Sequence, residues 1–267
     1  MIKKFLKNIT PPFLLKLKGK PKYGFFGNYK SWEEAKSETD GYASEKIFEK
    51  VKDAALKVRR GEVAYERDSV IFDKKQYSWP LLSSLLWISS KQGNKLNLVD
   101  FGGSLGTSYY QNRSFLNHLS ELKWNIVEQK KFVETGKKMF SDGKLGFYYS
   151  IEDCLKEQKA NVLLLSSVLQ YLEKPYEFLE KIHKDFEYII IDRTPLFEKE
   201  DRIVVQKIPP RIYEASYPAW ILNEEKLKKF MEKRYKLIAD FDAHSGATIE
   251  LGDTKAVYRG FIFKKNA

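Results

Sequence analysis

Cysteine and histidine are scarce in this chain, whose 267 residues include one cysteine, Cys154, and three histidines. A single cysteine excludes an internal disulfide framework and a cysteine-based zinc site. The histidines (His118, His183 and His244) lie far apart and form no HExxH or comparable spacing. We therefore expect no dedicated transition-metal site.

Long apolar runs are also missing. The most basic stretch, "MIKKFLKNITPPFLLKLKGKPK" at the N-terminus, interleaves lysines with short apolar groups. These groups are too short for a transmembrane helix or for the apolar region of a signal peptide. We therefore expect a cytoplasmic protein. The stretch itself could be a tail, a piece packed on the domain, or a peripheral contact with the anionic inner face of the membrane.

Acidic residues are fewer than basic ones, with 36 Asp and Glu against 47 Lys and Arg and a net charge of +11. Such an excess favours anionic partners, namely nucleic acid, anionic lipid or phosphorylated substrates. Because the lysines are spread widely, solvated helix surfaces explain the charge equally well. A hydrophobic fraction of 43% is ample for a core, so the composition is not that of a disordered chain.

Residues 1–95 are predicted to form a basic tail followed by a helical cap. Several Pro and Gly residues make residues 1–30 irregular in this reading. Ser31 is a good N-cap for "SWEEAKSE", because Glu34 follows three residues later. Helical spacing continues in "EKIFEKVKDAALKVRRG" and in the nearly apolar "SWPLLSSLLWISSKQG".

Residues 96–267 are predicted to form an α/β domain. Here β-rich runs alternate with helical ones, which is typical of a mostly parallel sheet with helices on both faces. The last two strands have no helix between them, so they should pair as an antiparallel C-terminal hairpin at the sheet edge. The seven predicted strands are "LNLVDF", "KWNIVEQ", "LGFYYS", "ANVLLLSSV", "FEYIIIDRT", "YKLIADFDA" and "AVYRGFIFKK".

A turn with three glycines, "DFGGSLG", follows the first of these strands, where open α/β sheets bind ligands. A P-loop would need GxxxxGK[ST], and the turn has neither that spacing nor the lysine. A dinucleotide fingerprint would need glycines at i, i+2 and i+5, and neither Gly102 nor Gly103 begins such a series. The turn instead reads Asp-x-Gly-x-small-x-Gly, formed by Asp100, Gly102, Ser104 and Gly106.

This pattern resembles motif I of the class I S-adenosylmethionine-dependent methyltransferases, usually Asp/Glu-x-Gly-x-Gly-x-Gly. Ser104 departs from the motif, because it stands where the middle glycine is common. Serine is small, but a left-handed backbone there would carry an energetic penalty. The resemblance implies a Rossmann-like fold and S-adenosylmethionine as cofactor, with contacts from Asp100, Gly102, Gly103, Ser104 and Gly106.

The same resemblance places further cofactor contacts at the ends of the next strands. Glu128, followed by Gln129, ends the second strand, where a carboxylate can accept hydrogen bonds from ribose hydroxyls. Glu152 or Asp153, after the third strand, would face the adenine amino group, although both could equally be partners of a helix dipole. The exit of the fourth strand would line the methyl-transfer site with Ser166, Ser167, Gln170 and Tyr171.

A narrower resemblance runs from about residue 22 to residue 263. The chain resembles a mostly uncharacterised family of bacterial methyltransferases whose genes tend to lie among surface-polysaccharide and O-antigen clusters. This likeness implies a sugar or glycan acceptor, used in polysaccharide biosynthesis. An anionic or lipid-linked form of this acceptor would suit the positive charge of the chain. The strings that carry it are "YGFFGNYKSWEEA", "GEVAYERDSVIFD", "DFGGSLGTSYYQNR", "NIVEQKKFVETGKKMF", "IDRTPL" and "IYEASYPAWILNEEKL".

Candidate catalytic residues follow from position. A hydroxyl acceptor usually needs a general base. Asp192 at the end of the fifth strand or His244 after the sixth could serve. Asp192 could equally have a structural role, and His244 could be a loop histidine without a catalytic role. Arg193 could bind a phosphate or carboxylate of the acceptor, or form a surface ion pair. A long aromatic loop, "PPRIYEASYPAW", would suit stacking on a sugar ring or a base through Tyr213, Tyr217 and Trp220.

One polar string stands inside the otherwise apolar cap. "YERDS" places Tyr65, Glu66, Arg67 and Asp68 together. Such a group is typical of a satisfied polar network or of a lid contact. The sequence favours neither reading.

Two alternative functions stay open. A methyltransferase acting on nucleic acid or on another small molecule would suit the charge, but no Asn/Asp-Pro-Pro-Tyr motif follows the fourth strand, where "SSVLQY" stands. Nucleic acid is therefore the weaker expectation. A non-catalytic binding module would keep the fold, but the intact set of Asp100, Gly102, Gly106 and Glu128 argues against loss of the cofactor.

Overall fold

The structure is a computed structural model that describes residues 22–39, 45–243 and 247–266. Its N-terminal part consists of β1 (Gly24–Tyr29), α1 (Trp32–Ser37), α2 (Glu45–Arg60), β2 (Tyr65–Arg67), β3 (Val70–Phe72) and α3 (Trp79–Lys91). Ser31 caps α1 as its position predicts, because its hydroxyl oxygen accepts a hydrogen bond from the Glu34 amide at 3.1 Å. The segment predicted as a helical cap thus also contains strands.

Strands and helices alternate from residue 95 onward. The first half consists of β4 (Lys95–Phe101), α4 (Thr107–Leu116), β5 (Glu121–Val127), α5 (Lys130–Met139), β6 (Leu145–Tyr148), α6 (Ile151–Glu157) and β7 (Val162–Ser166). The second half begins with a short 3-10 helix (Leu169–Tyr171) and continues with α7 (Pro175–Ile182), β8 (Tyr188–Phe197), β9 (Arg202–Ile208), β10 (Ala215–Asn223), α8 (Glu224–Glu232), β11 (Tyr235–Asp242), β12 (Thr248–Glu250) and β13 (Lys255–Lys265).

Seven strands form the sheet that the sequence predicts, in the order β6-β5-β4-β7-β8-β13-β11. Neighbours in this sheet are parallel except at β13, which runs antiparallel to both β8 and β11. The predicted α/β class and the antiparallel C-terminal hairpin are therefore confirmed. The strand order reverses between β4 and β7, and ligands bind at the carboxyl ends of strands beside such a switch point.

Additional strands extend this sheet. β9 and β10 form an antiparallel hairpin, β1 pairs antiparallel with β9, and the end of β10 runs parallel to the end of β8. Two predictions were therefore wrong, since residues 24–29 form a strand and the aromatic segment 209–220 is half strand. β9, "RIVVQKI", is rich in β-branched residues, and its pairing with β10 outweighs the loop signal of the nearby prolines.

Helices cover both faces of the sheet. Side chains from α2, α3, α4 and α5 pack on one face with Leu98 and Ile190. Side chains from α6, α7 and α8 pack on the other face with Val99 and Ile191. Consecutive residues of one strand point to opposite faces, so each central strand contributes to both core layers. This double burial accounts for the continuous apolar runs in the sequence.

Within the described ranges, no helix combines the length and the apolar character that a membrane crossing needs. The basic stretch considered above for a membrane contact falls almost entirely in residues 1–21, which lie outside the described residues. That expectation stays a prediction.

Candidate active site

A cleft of about 700 Å³ opens at the carboxyl ends of β4, β5, β7 and β8. This volume is in the range of small-molecule sites. Residues of β2, β9, β10 and β13, and of the helices α1, α2 and α4, also line it. The cleft brings together most of the residues selected from the sequence, namely Asp100, Gly102, Gly103, Ser104, Glu128, Gln129, Ser166, Ser167, Arg193 and Tyr217.

Two glycines of the turn are required by close approach. The Gly102 amide donates a hydrogen bond to the Val127 carbonyl oxygen at 2.9 Å, which ties the turn to β5. A Cβ at Gly102 would lie 2.6 Å from Val168 Cγ2, and a Cβ at Gly103 would lie 2.6 Å from Asp100 Oδ2. The turn therefore presents bare backbone to the cleft, which is what close approach of a ligand needs.

Ser104, the departure from the usual motif, has a left-handed backbone with φ 54°. A side chain in this conformation costs about 1–2 kcal/mol, whereas glycine adopts it freely. In this conformation the Ser104 amide lies near the Glu128 carboxylate and favours its ionised form. Gly106, with φ 100°, is the N-cap residue of α4, so the positive end of a ten-residue helix lies beside the turn.

Asp100 supports the turn from within the protein. It is 1% exposed, and the Trp124 indole N–H donates to its Oδ2 at 2.9 Å. Burial raises the pKa of Asp100 to about 7, although the hydrogen bond from Trp124 and the charge of Arg193 favour the ionised form. Asp100 therefore fixes the shape of the turn and exposes little of its carboxyl group to the cleft.

Glu128 follows β5, beside the glycine turn. Its Oε2 accepts a hydrogen bond from the Gln129 amide at 2.6 Å. Burial raises the pKa of Glu128, while the amides of Gln129 and Ser104 act in the opposite direction. A carboxylate has about four lone-pair positions, so Glu128 can still accept hydrogen bonds from a ligand. The geometry thus permits the predicted contact with two ribose hydroxyls.

A polar network joins the ends of β7 and β8. The Ser166 hydroxyl donates to Asp192 Oδ2 at 2.8 Å and accepts from Arg193 Nη2 at 3.0 Å, while Arg193 Nε lies 3.3 Å from Asp192 Oδ2. Asp192 has no exposed surface and does not line the cleft. The prediction that Asp192 could act as general base is therefore corrected, because its buried carboxylate holds Arg193 and cannot meet an acceptor.

A β-bulge aims Arg193 into the cleft. Asp192 and Arg193 on β8 together oppose the single residue Gly260 on β13. Arg193 has φ 53°, a strained conformation for a residue with a side chain. Bulges beside active sites commonly re-aim one side chain in this way. The bulge and its strain both indicate that the position of this guanidinium matters to the site.

Glu66 is a cleft residue that the sequence analysis did not select. It lies on β2, is 3% exposed, and accepts a hydrogen bond from the Thr107 hydroxyl at the start of α4. Burial raises the pKa of Glu66 to about 7. Arg67 and Asp68 also line the cleft. The available signal was the polar string "YERDS" in an apolar cap, but the sequence did not say which residues would face a ligand.

Five aromatic residues form what we call the aromatic wall of the cleft: Trp32, Tyr171, Tyr213, Tyr217 and Tyr258. The Tyr171 hydroxyl donates to Gln206 Oε1 at 2.7 Å, and its ring meets that of Tyr217 edge to face with centroids 5.1 Å apart. Tyr217 thus lines the cleft as selected, although from a strand. Trp220 lies behind the wall, stacked on Trp32 with centroids 6.1 Å apart.

Two predicted adenine contacts lie elsewhere. Glu152 and Asp153 occupy the first turn of α6 and do not line the cleft. Glu152 pairs with Lys181 at 2.6 Å and Asp153 pairs with Lys156 at 2.9 Å. The prediction that one of them contacts the adenine amino group is corrected. Acids at a helix N-terminus are stabilised by the helix dipole, and these two are also paired with lysines. The half-exposed Tyr149, just before α6, lines the cleft instead.

Two other selected residues, Gln170 and Gly106, also stand apart from the lining. Gln170 is buried and donates to Ser167 Oγ at 3.2 Å, so it supports a cleft residue from behind. Gly106 shapes the start of α4. His244 lies outside the described residues, and its proposed role as base stays a prediction.

Among the described residues, no group of three or more His, Cys, Asp or Glu could hold a metal ion.

The strand order, the one antiparallel central strand and the glycine turn at the switch point define a Rossmann-like fold of the class I methyltransferase type. Comparison with solved structures gives the same fold. The chain is similar to the N-terminal domain of EvdMO1 with SAH bound, with a TM-score of 0.50 and 8% identity over 80% of this chain and 97% of that chain. The same domain, crystallised in the presence of SAH and D-fucose, gives a TM-score of 0.50 at 9% identity, again over 80% and 97%.

A further similar structure is an S-adenosylmethionine-dependent methyltransferase from Clostridium acetobutylicum ATCC 824, with a TM-score of 0.46 and 10% identity over 82% of this chain and 99% of that chain. At such identities the likeness shows the fold alone. Neither a protein-family model nor a curated protein matches the sequence.

Proposed function

We propose that the chain is an S-adenosylmethionine-dependent methyltransferase acting on a sugar or glycan-related acceptor in cell-surface polysaccharide biosynthesis. One observation carries the proposal. A turn of bare backbone at Gly102 and Gly103 lies beside the carboxylate of Glu128, in a cleft of about 700 Å³ at the switch point of the sheet.

The residues of the cleft fit this cofactor. Glu128 would accept hydrogen bonds from the ribose hydroxyls, and the glycine turn would allow the ligand to approach the backbone closely. Ser166 and Ser167 would line the part of the cleft where the methyl group is transferred. When bound, the cofactor supplies a sulfonium whose methyl group is strongly electrophilic. The protein's own task is to align an acceptor and to exclude water.

The acceptor half of the cleft suits a ring that carries hydroxyl groups. The aromatic wall offers tyrosine and tryptophan faces against which a sugar ring can stack. Arg193 is held by Asp192 and Ser166, so its guanidinium is pre-oriented to bind a hydroxyl or an anionic substituent of the acceptor. Both features support a small glycan acceptor.

The charged groups of the cleft also suit a sugar acceptor. The chain carries a net charge of +11. The charged residues lining the described part of the cleft are nevertheless mostly acidic, namely Glu66, Asp68, Asp100 and Glu128 against Arg67 and Arg193. These acids and the two arginines offer both acceptors and donors to the hydroxyl groups of a sugar.

Transfer of labelled methyl groups tests the proposal. Purified protein is incubated with labelled S-adenosylmethionine and with nucleotide sugars, lipid-linked glycans or total RNA in separate reactions. We expect label in a sugar fraction and its loss in the Glu128→Ala variant. Label in RNA alone would overturn the acceptor class. No cofactor binding at millimolar concentration would overturn the activity itself.

A further inference from the structure

The β2–β3 hairpin places acidic residues in the cleft from outside the main sheet. Arg67 pairs with Val70, so Asp68 and Ser69 form a two-residue turn between the strands. Both residues are left-handed, with φ 52° and 66°, which is the geometry of a type I′ turn. The Ser69 hydroxyl donates to the Ile212 carbonyl oxygen at 3.1 Å. The hairpin is therefore fixed to the β9–β10 turn, next to the aromatic wall.

Glu66 on this hairpin is surrounded by hydrogen-bond donors. The Thr107 hydroxyl donates to its carboxylate, and the nearby Ser69 amide favours the ionised form. Its side chain lines the cleft although the residue is 3% exposed. Because a carboxylate has about four lone-pair positions, two donors leave room for a third. A hydroxyl group of a ligand in the cleft could donate this third hydrogen bond.

We propose that Glu66 is the general base of the transfer, which takes the proton of an acceptor hydroxyl group; this inference rests on the proposed function. The acceptor O–H bond breaks and its proton passes to the Glu66 carboxylate. The oxygen forms a bond to the methyl carbon, and the electron pair of the broken carbon–sulfur bond stays on sulfur. Glu66 then releases the proton to water, so the enzyme returns to its starting state.

The electrostatic surroundings suit this task. The pKa of Glu66 is raised to about 7: burial is the largest cause and the charge of Asp68 adds to it, while Thr107, the Ser69 amide and Arg193 act in the opposite direction. The other titratable groups around it are Tyr65 and Arg67 of the hairpin and Tyr110 of α4. A base is most effective when its pKa lies near the working pH, and proton transfer by such a group contributes about 10²–10⁴-fold.

The other acids of the cleft are placed for different roles. Asp100 is held beneath the glycine turn by Trp124, and Glu128 lies at the end of β5 against the Gln129 amide. Asp192 is enclosed with Ser166 and Arg193. Asp68 is exposed at the tip of the hairpin and is the remaining competitor for the role of base.

The test compares Glu66→Gln with Asp68→Asn and with Glu62→Gln. Glu62 is a half-exposed residue near the hairpin that pairs with Arg60 and does not line the cleft, so it is a matched control. Each variant is assayed with labelled S-adenosylmethionine and a mixture of nucleotide sugars from pH 5.5 to 9. Cofactor affinity is measured by calorimetry on the same preparations.

We expect Glu66→Gln to lower kcat by about 100-fold or more. The rise of kcat with pH near 7 should disappear, and the cofactor Kd should stay within about threefold of the wild-type value. Infrared difference spectra of the unliganded wild type minus Glu66→Gln should show a carboxyl group that titrates near pH 7. Glu62→Gln should behave as the wild type.

Three results would overturn the assignment. The first is a Glu66→Gln variant with kcat within about threefold of the wild type. The second is a weakened cofactor Kd with unchanged kcat, which would make Glu66 a cofactor contact. The third is that the rise of kcat with pH near 7 disappears in Asp68→Asn and persists in Glu66→Gln. These three results apply when the wild type binds the cofactor. If the wild type does not bind it, the proposed function itself is overturned, and the assignment of Glu66 falls with it.

Discussion

Replacing Gly103 with alanine tests whether the glycine turn is a steric requirement. The added Cβ would lie 2.6 Å from both Asp100 Cγ and Asp100 Oδ2, closer than real Cβ contacts come. Asp100 cannot easily retreat, because it is 1% exposed and its Oδ2 accepts a hydrogen bond from Trp124 at 2.9 Å. The backbone of the turn must therefore shift.

Forcing an extra methyl group into a packed site typically costs about 1–3 kcal/mol. For a chain of this size each kcal/mol lowers Tm by about 2–4 °C. We therefore expect Gly103→Ala to unfold about 2–12 °C below the wild type. The displaced turn should also bind S-adenosylmethionine at least tenfold more weakly, which corresponds to about 1.4 kcal/mol.

Gly143→Ala is the matched control, because it makes the same chemical change where no atom lies within 4 Å of the new Cβ. Its Tm should not fall, and should rise by at most about 4 °C, because alanine restricts the unfolded chain. Scanning calorimetry gives the two Tm values, and titration calorimetry gives the cofactor Kd. Equal Tm and equal Kd for the two variants would refute the steric account of the turn.

Three further predictions concern stability. Ser104→Gly relieves the left-handed strain and should raise the free energy of unfolding in urea by about 0.5–1 kcal/mol; a decrease would mean that the Ser104 side chain is itself stabilising. Trp124→Phe leaves Asp100 without its indole donor, so it should cost about 1–3 kcal/mol and raise the pKa of Asp100 further. Asp100 and Glu66 have pKa values of about 7 in the folded chain, against about 4 when unfolded. Between these values the folded chain holds protons that the unfolded chain releases, so stability should fall as pH rises from 4 to 7, and urea titrations of Glu66→Gln should show a shallower fall.

The sequence predicts the main sheet well because each of its strands carries a local signal. Strands buried on both faces must be apolar throughout, and the segments between them follow a helical period. The glycine turn and Glu128 could likewise be selected, since both follow a strand at the switch edge of the sheet. Their positions depend on the order of strands and little on the details of packing.

What the sequence did not predict depends on contacts between distant parts of the chain. Glu66 is 41 residues from its partner Thr107, so no local pattern shows that the two meet in the cleft. The bulge that aims Arg193 arises from the register between β8 and β13. In the β9–β10 hairpin, the prolines of residues 209–218 are a strong local loop signal, and pairing with neighbouring strands overrides it.

The α6 acids illustrate a different limit. Glu152 and Asp153 follow the third strand at the position expected for a cofactor contact, but a helix begins there, capped by Ser150. Acidic residues in the first turn of a helix are stabilising without any ligand. Position along the chain alone could not separate these two roles, whereas the lysine partners in the structure do.

Titration calorimetry of the wild-type protein with S-adenosylmethionine tests the central claim most directly. The account predicts saturable binding at one site, with an affinity about 1–3 kcal/mol lower in Glu128→Ala, where the ribose hydroxyls would lose their carboxylate partner. Absence of binding at millimolar cofactor would contradict the claim, as would equal affinity in the wild type, Gly103→Ala and Glu128→Ala.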